Sequence, residues 1–401
     1  MLCGYEFIRS PSTSLYIGAY GASKLPYAML AGAIFTMIFL YGYGLLLTWI
    51  GPRRTLLIVS IFSCFVIILC YIAVKHGSKF ASGVVYAFRE AYIVVVIEQY
   101  WSLINSTLKE KQAKLFNGFI CGVGSIGAIA GGYAIGHLAD KNSSFFIGTE
   151  AILLLAAASL LPAALCSELS YHFAGEPAPS VEEKKKGKSL ALSLFVESSY
   201  LRRIALLIFL TQMISTVLDL RFFGLVEESF PITDERTAFT GSFYAGLNLA
   251  AGILQFVIAP ILLYFVSLRF IHPSIPIIHV ATALVLFIKP NLFTGGLAYL
   301  VFKAVDYSIF RAGKEIFYIP LSFDSRYRAK EVIDAFGYRA SKGISAGLTS
   351  IATMIAGFFG YVLSGGFYPA TAAVGAIVWL LTVTGLVRQH DRILKQSDKN
   401  E

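Results

Sequence analysis

Stretches of roughly 20 mostly apolar residues with few charges recur from one end of this chain to the other, and that length spans a bilayer as a helix. Lipid offers no hydrogen bonds to an unpaired backbone, so a chain patterned this way folds as membrane helices. Composition agrees, with only 14% of the 401 residues charged and 56% hydrophobic, where a soluble domain carries about 25% charge. The longest polar gap, residues 169 to 201, is too short for a soluble domain. The chain is therefore read as an all-α polytopic membrane protein. Its five cysteines (Cys3, Cys64, Cys70, Cys121 and Cys166) form neither a disulfide framework nor a paired metal motif. The N-terminus lacks the basic, apolar and cleavage regions of a signal peptide. Its first residues, MLCGYEFIRSPSTSLYIGAYGASK, read as the latter part of a membrane helix and a loop. Either that helix is short or the true start lies upstream.

Complete spans are predicted near residues 26–50, 55–75, 81–107, 115–137, 144–167, 203–223, 240–267, 274–290, 293–318, 339–363 and 367–388. With the curtailed first helix they make about 12. The stretch AGEPAPSVEEKKKGKS combines proline, glutamate and a lysine run, the marks of a solvated linker. The expected organisation is an N-terminal six-helix bundle (1–168), a linker (169–201), a C-terminal six-helix bundle (202–390) and a tail (391–401). Two sixes joined by a basic central loop resemble the major facilitator architecture.

Lys and Arg accumulate in cytoplasmic loops. With both ends inside, Lys24, Lys75, Lys79, Lys141, Arg236 and Lys289 fall outside, and Arg9, Arg89, Arg221, Lys303, Arg311 and Lys314 fall in the spans or at their edges. The remaining 21 of the 33 basic residues are then cytoplasmic. This excess orients the chain with both termini in the cytoplasm. It also accounts for the net charge of +9 as a topology signal, without nucleic-acid binding. The glycines of GFICGVGSIGAIAGGYAIG (Gly118 and Gly122, Gly127 and Gly131, Gly132 and Gly136) recur at spacing four and are read as helix-packing positions. So are Gly343, Gly347, Gly357 and Gly360. A phosphate-cradling loop would need a preceding strand and a following Lys with Ser or Thr.

The six basic residues in the spans are accompanied by Glu6, Glu90, Glu98, Asp219, Asp306 and Glu315. Their spans are the first, fourth, seventh and tenth, which are equivalent positions in two three-plus-three repeats and line the central cavity of the major facilitator architecture. Each such charge costs about 2.5–3.5 kcal/mol at a helix centre, so the five in KAVDYSIFRAGKEIFYIPL cost on the order of 10 kcal/mol if they face lipid. They are expected to face inward. On a uniform helix at 100° per residue, Lys314 lies about 20° from Lys303, Asp306 about 60° to the other side and Arg311 about 80° away, one broad face. Glu90, Glu98 and Trp101 share a face of the fourth span, with Arg89 nearly opposite Glu98. One reading pairs these charges among themselves, Lys303 with Asp306 and Lys314 with a carboxylate of the fourth span. The other gives the clustered cations an anionic ligand.

YSIFRAGKEIFYIPL, followed by YRAKEVIDAFGYRASKG, resembles the signature of the nucleotide transporter family, the ATP/ADP translocases of plastids and intracellular bacteria. Tyr307, Ser308, Phe310, Lys314, Glu315, Tyr318, Ile319, Pro320 and Leu321, then Lys330, Ile333, Asp334, Arg339, Lys342 and Gly343, fill that pattern. The stretch from Glu90 through Trp101 to Asn105 is similar to the family's fourth helix, and Tyr5, Arg9, Gly21, Ala22 and Pro26 fit its first loop. Two departures stand out. Ser10, Pro11, Ser12 and Thr13 replace further charges after Arg9, and Met29 replaces an intramembrane lysine.

The resemblance implies a secondary transporter of a nucleotide or related phosphorylated anion, in a bacterial inner membrane or plastid envelope. Arg9, Lys303, Arg311 and Lys314 would neutralise phosphates, while Glu90, Asp306 and Glu315 would hold those cations in the empty site. Trp101 or Tyr307 would stack on a base. The substrate is expected to be an anionic small molecule, and the protein a monomer in the lipid bilayer with no cofactor and no covalent chemistry. Two alternatives stand beside this reading. One is a proton-coupled major facilitator carrier of another solute, with Glu90, Glu98 or Asp219 as the coupling group; the other is a non-transporting receptor or scaffold.

Overall fold

The computed structural model describes residues 1–107, 110–175, 195, 198–321, 333 and 337–397, with the side chains of 105–119, 174 and 396–397 outside that description. Lys330, Asp334, the lysine run of the linker and the side chain of Asn105 therefore lie outside the described residues. Two compact units divide the chain, Met1–Gly187 with Phe230–Leu249, and Lys188–Ser229 with Ala250–Glu401.

In the first unit, α1 (Leu2–Tyr20) is followed by α2 (Leu25–Lys75), α3 (Lys79–Thr107), α4 (Glu110–Leu138) and α5 (Thr149–Ala174). At 19 residues α1 runs about 28 Å, close to the thickness of a bilayer core. The 51 residues of α2 are two spans, broken at Gly51, whose φ of 79° and ψ of 170° only glycine adopts readily. Pro52 follows and cannot donate back into the preceding turn. Helix α1 packs on α3, α4 and α5, and α2 packs on α3 and α5. The apolar centre includes Ile8, Ile67, Val85, Phe88 and Leu153. Much of the rest of the apolar surface stays exposed, Trp49 and Tyr41 included. In water that would be unstable; in lipid it is the solvated face.

The first part of α7 (Thr233–Ile253) also belongs to this unit. Two pairs of the spaced glycines work on different faces of α4. A Cβ at Gly131 would sit 2.6 Å from the Cys3 carbonyl oxygen of α1, and one at Gly132 would sit 2.8 Å from the Gly241 carbonyl oxygen of α7. Only glycine admits backbone that close. Gly357 and Gly360, expected to pack helices, do not: nothing lies within 4 Å of where their Cβ would be. Gly360 instead turns the chain at a φ of 76° just past its helix.

The second unit contains α6 (Ser199–Ser229) and the end of α7. It continues through a π turn (Leu254–Ile258) into α8 (Ala259–Phe265), and then α9 (Leu268–Ile288) and α10 (Leu292–Val305). A second π turn (Asp306–Phe310) leads to α11 (Arg311–Ile316), followed by α12 (Tyr338–Phe358) and α13 (Phe367–Ser397). Helix α6 packs on α10, α12 and α13, α9 packs on α10 and α13, and the two π turns pack against each other.

Among the described residues, 8 helical stretches are long and apolar enough to cross a membrane, Ala22–Lys75 counting as one. Dividing that stretch at Gly51, and adding α1, α10 with α11, and α12, completes the expected twelve. Serines, threonines and glycines as well as charge lower the hydropathy of α1 and α12, and the π turn leaves α10 and α11 as short helices on either side of it. The fold is all-α and of major facilitator type.

Candidate functional site

Each unit carries its own buried charged cluster. In the first, Glu6 and Arg9 lie one turn apart on α1, with Arg9 Nη1 3.3 Å from Glu6 Oε1. From α7, Asn248 Nδ2 donates to the same Glu6 oxygen at 3.1 Å. The Arg9 guanidinium lies over the Tyr244 ring, 3.6 Å from its centre, and 5.9 Å from that of Tyr5. Glu6 is 2% exposed, and its Oε2 has no hydrogen-bond partner. Such an arrangement fixes a guanidinium by its face and one edge.

Arg89 of α3 is buried, and its guanidinium lies 4.3 Å from the centre of the Tyr86 ring. Its Nη1 donates to the Arg9 carbonyl, to Ser12 Oγ at 3.0 Å and to Thr13 Oγ1, while Nη2 is 3.4 Å from Glu90. Two of the hydroxyls that follow Arg9, those of Ser12 and Thr13, thus receive Arg89. Arg89 therefore clamps α3 to α1. Glu90 is more open and lies beside α2, where a Cβ at Gly32 would be 3.5 Å from its Cγ. Met29, in place of a lysine, is buried. Glu98 is exposed and about 12 Å farther along α3 than Glu90. Trp101 is half-buried and packs against Tyr100 at 6.3 Å. The structure does not bring Glu98 or Trp101 to the Arg9 cluster.

In the second unit the uniform helix expected over 303–318 is interrupted by the π turn at Asp306–Phe310. One extra residue in a turn sets every later position back by about 100°. Lys314 then falls about 20° from Asp306, and Arg311 about 20° from Lys303. Burial follows this revised order. Asp306 and Lys314 are 4% and 2% exposed, whereas Lys303 is half-buried and Arg311 exposed. The broad face narrows to an arc of about 80°, with Asp306 and Lys314 at its buried side and Lys303 and Arg311 at its open side.

On the open face Tyr307 stands between two cations, Lys303 Nζ 5.5 Å and the Arg311 guanidinium 5.6 Å from its ring centre. Lys303 Nζ donates to Ser215 Oγ of α6 at 2.7 Å and lies 5.7 Å from the Tyr299 ring centre. Lys303 is thus engaged by a hydroxyl, not ion-paired to Asp306 as the pairing reading expected. On the buried face Lys314 Nζ is 3.3 Å from Glu315 and 5.4 Å from the Tyr338 ring centre. Asp306 Oδ1 has no hydrogen-bond partner. Asp219 lies one turn beyond Ser215 on α6, half-buried, and its Oδ1 also has none. Arg221 pairs with Glu228 of the same helix at 3.4 Å. Gly313 precedes Lys314 because a Cβ there would meet His272 Nε2 of α9 at 3.0 Å.

Charge anomalies gave no pointer to Tyr244, Asn248, Ser215 or Tyr299. Tyr299 was within reach, being one turn before Lys303. The others belong to helices distant in sequence. Among the described residues no group of His, Cys, Asp and Glu is placed to hold a metal ion.

Membrane-spanning helices carrying buried, aromatic-braced cations define an integral membrane protein with charge held inside its helix bundles. The sequence pattern of the TLC ATP/ADP transporter family matches residues 35–390, and the chain belongs to that family. ADP,ATP carrier protein 3 of Rickettsia bellii is 24% identical over 327 residues, 70% of this chain and 65% of the carrier's length. The fold is similar to that of a bacterial homologue of the iron transporter ferroportin in an inward-facing state (TM-score 0.63, 12% identity, 96% of this chain and 97% of that one). It is also similar to the nucleoside transporter NupG (TM-score 0.60, 13% identity, 98% and 97%).

Proposed function

We propose that the protein moves a nucleotide of ATP/ADP type, or a related phosphorylated anion, across a membrane by alternating access. The observation that carries this reading is Tyr307 held between Lys303 and Arg311, on the open face of a helix that matches the family signature. A ring flanked by two cations suits a ligand with a flat base and a charged tail. Lys303 and Arg311 neutralise phosphate oxygens, Arg311 as a planar fork and Lys303 as a point charge. Lys314 and Asp306 set the field behind them, with Glu315 holding Lys314 in the absence of ligand. In the first unit Arg9 supplies a further cation, and Glu90 offsets Arg89. No covalent step belongs to this function, and the protein works as a monomer. The excess of Lys and Arg on one side supports cytoplasmic termini and a cytoplasmic linker between bundles 1–168 and 202–390. A bacterial inner membrane is the setting proposed for it, the Rickettsia bellii relative being a bacterial carrier.

The test is thermal unfolding of purified protein against a panel of nucleotides and unrelated anions, followed by uptake of labelled nucleotide into cells expressing it. Ligand at a hundred times its dissociation constant stabilises by about 2.7 kcal/mol. A nucleotide-selective rise that depends on Arg311 is expected. A flat response with no uptake would overturn the reading in favour of another solute.

A further inference from the structure

Where α6 begins and α13 ends, the second unit has two adjoining grooves of about 460 and 370 Å³. Arg388 and Arg392 of α13 line both. Arg269 and Lys395 complete the larger groove with Asp391, and Arg203 lines the smaller. Spacings of four and three place Arg388, Arg392 and Lys395 along one face of α13. The 31 residues of α13 extend about 46 Å, well beyond a hydrocarbon core of about 30 Å, so its last turns reach headgroup level.

Asp391 is engaged by Arg269 at 2.6 Å. Among the described residues no carboxylate lies within 4.0 Å of Arg203, Arg388, Arg392 or Lys395. Gly385 adjoins the smaller groove, and a Cβ there would sit 2.6 Å from Arg203 Nη1, so the backbone gives way to that guanidinium. Within five residues of Arg269 in sequence, Tyr264, Phe265 and Phe270 are 83%, 76% and 72% exposed, a ring-rich apolar rim of the kind found at the membrane interface. A topology signal needs only charge in a loop. It needs neither four basic residues gathered around a single carboxylate that Arg269 already engages nor a glycine that admits one of the guanidiniums.

We infer that this corner binds the phosphate of an anionic phospholipid, with the headgroup across Arg388 and Arg392 and the acyl chains along the exposed aromatic rim. The source committed to is lipid because the rim is apolar and unshielded, and because basic pockets between membrane helices recognise such headgroups. A soluble phosphate has no use for the rim.

The experiment follows the melting temperature of the full chain in neutral detergent, free of nucleotide, as dioleoyl phosphatidylglycerol, dioleoyl phosphatidylcholine or inorganic phosphate is added. Phosphatidylglycerol should raise it by several degrees, with little response to the other two. The double variant Arg388→Gln/Arg392→Gln should lose that rise while eluting as a monodisperse peak, and native mass spectrometry should show fewer retained phosphatidylglycerol molecules. Should the double variant fail to fold, Arg392→Gln alone serves, with a smaller loss. Equal stabilisation by phosphatidylcholine, or an undiminished rise in the variants, would overturn the site. If inorganic phosphate stabilised as well as phosphatidylglycerol through the same arginines, the ligand would be a free anion and the lipid assignment would fall.

Discussion

The Arg9 guanidinium carbon lies over the ring of Tyr244, 3.6 Å from the ring centre, although the two residues belong to the first and seventh helices of the chain. Glu6 and Asn248 fix the same guanidinium from its edge, one directly and one through the carboxylate. A cation so braced keeps its position as water and ligand exchange around it. A desolvated cation–π contact contributes about 2 kcal/mol, and a tenfold change in binding corresponds to about 1.4 kcal/mol. Tyr244→Leu is therefore expected to weaken nucleotide binding roughly tenfold or more, and Tyr244→Phe to leave it nearly intact. Titration of the melting temperature with ADP in both variants checks this; equal losses would assign the effect to the hydroxyl.

Gly51 makes a purely structural prediction. Its φ of 79° and ψ of 170° break α2 into two spans, a backbone region that costs another residue about 1–3 kcal/mol. Gly51→Ala should lower stability by that amount without altering ligand selectivity. Thermal unfolding with and without ADP separates the two quantities. An unchanged melting temperature would show that the break is held by Pro52 and the loop alone.

The spans were legible because lipid permits few solutions for a backbone, so apolar runs translate almost directly into helices. The cluster around Lys303, Asp306, Arg311 and Lys314 was legible for a related reason, since charge in such a run demands an explanation. Its arrangement was not. A π turn has no side-chain signature comparable to a capping residue, and Asp306–Phe310 is ordinary in composition, yet the turn moves Arg311 to the face of Lys303 and pairs Lys314 with Asp306 in burial. Tyr244 and Asn248 stayed silent because a tyrosine and an asparagine in a membrane helix are unremarkable until the partner helix is known. Spacing-four glycines proved informative at Gly131 and Gly132, where another backbone passes, and uninformative at Gly357 and Gly360, where nothing does.

Tyr307 and its two cations predict a selectivity phenotype. Arg311→Gln removes one charge from the open face, and Coulomb attraction scales with the ligand's charge at a given distance. Binding of a triphosphate should suffer more than that of a diphosphate, and a monophosphate least. Tyr307→Leu should weaken all three by a similar factor, because the base is common to them. Competition against one labelled nucleotide measures the three ratios. A uniform loss in Arg311→Gln would place that guanidinium away from the phosphates.

The buried face behind Tyr307 yields the opposite sign. Asp306 is 4% exposed with Oδ1 lacking a hydrogen-bond partner, on the side of the helix that it shares with Lys314. Asparagine has nearly the same shape, so Asp306→Asn leaves packing unchanged and removes one negative charge from the surroundings of Lys303, Arg311 and Lys314. The field at the open face then becomes more positive, which favours the most highly charged ligand and slows its departure. Tighter triphosphate binding together with slower turnover is the expected outcome, read as a lower half-saturation concentration and a lower maximal uptake rate for labelled ATP. Lys314→Gln should shift both quantities the other way. The paired change Asp306→Asn with Lys314→Gln should return them toward the original values, since the net charge behind Tyr307 is then restored. A double variant no closer to wild type than either single one would mean that Asp306 and Lys314 act through the fold, through strain or loss of packing, and not through the field they set at the cations in front.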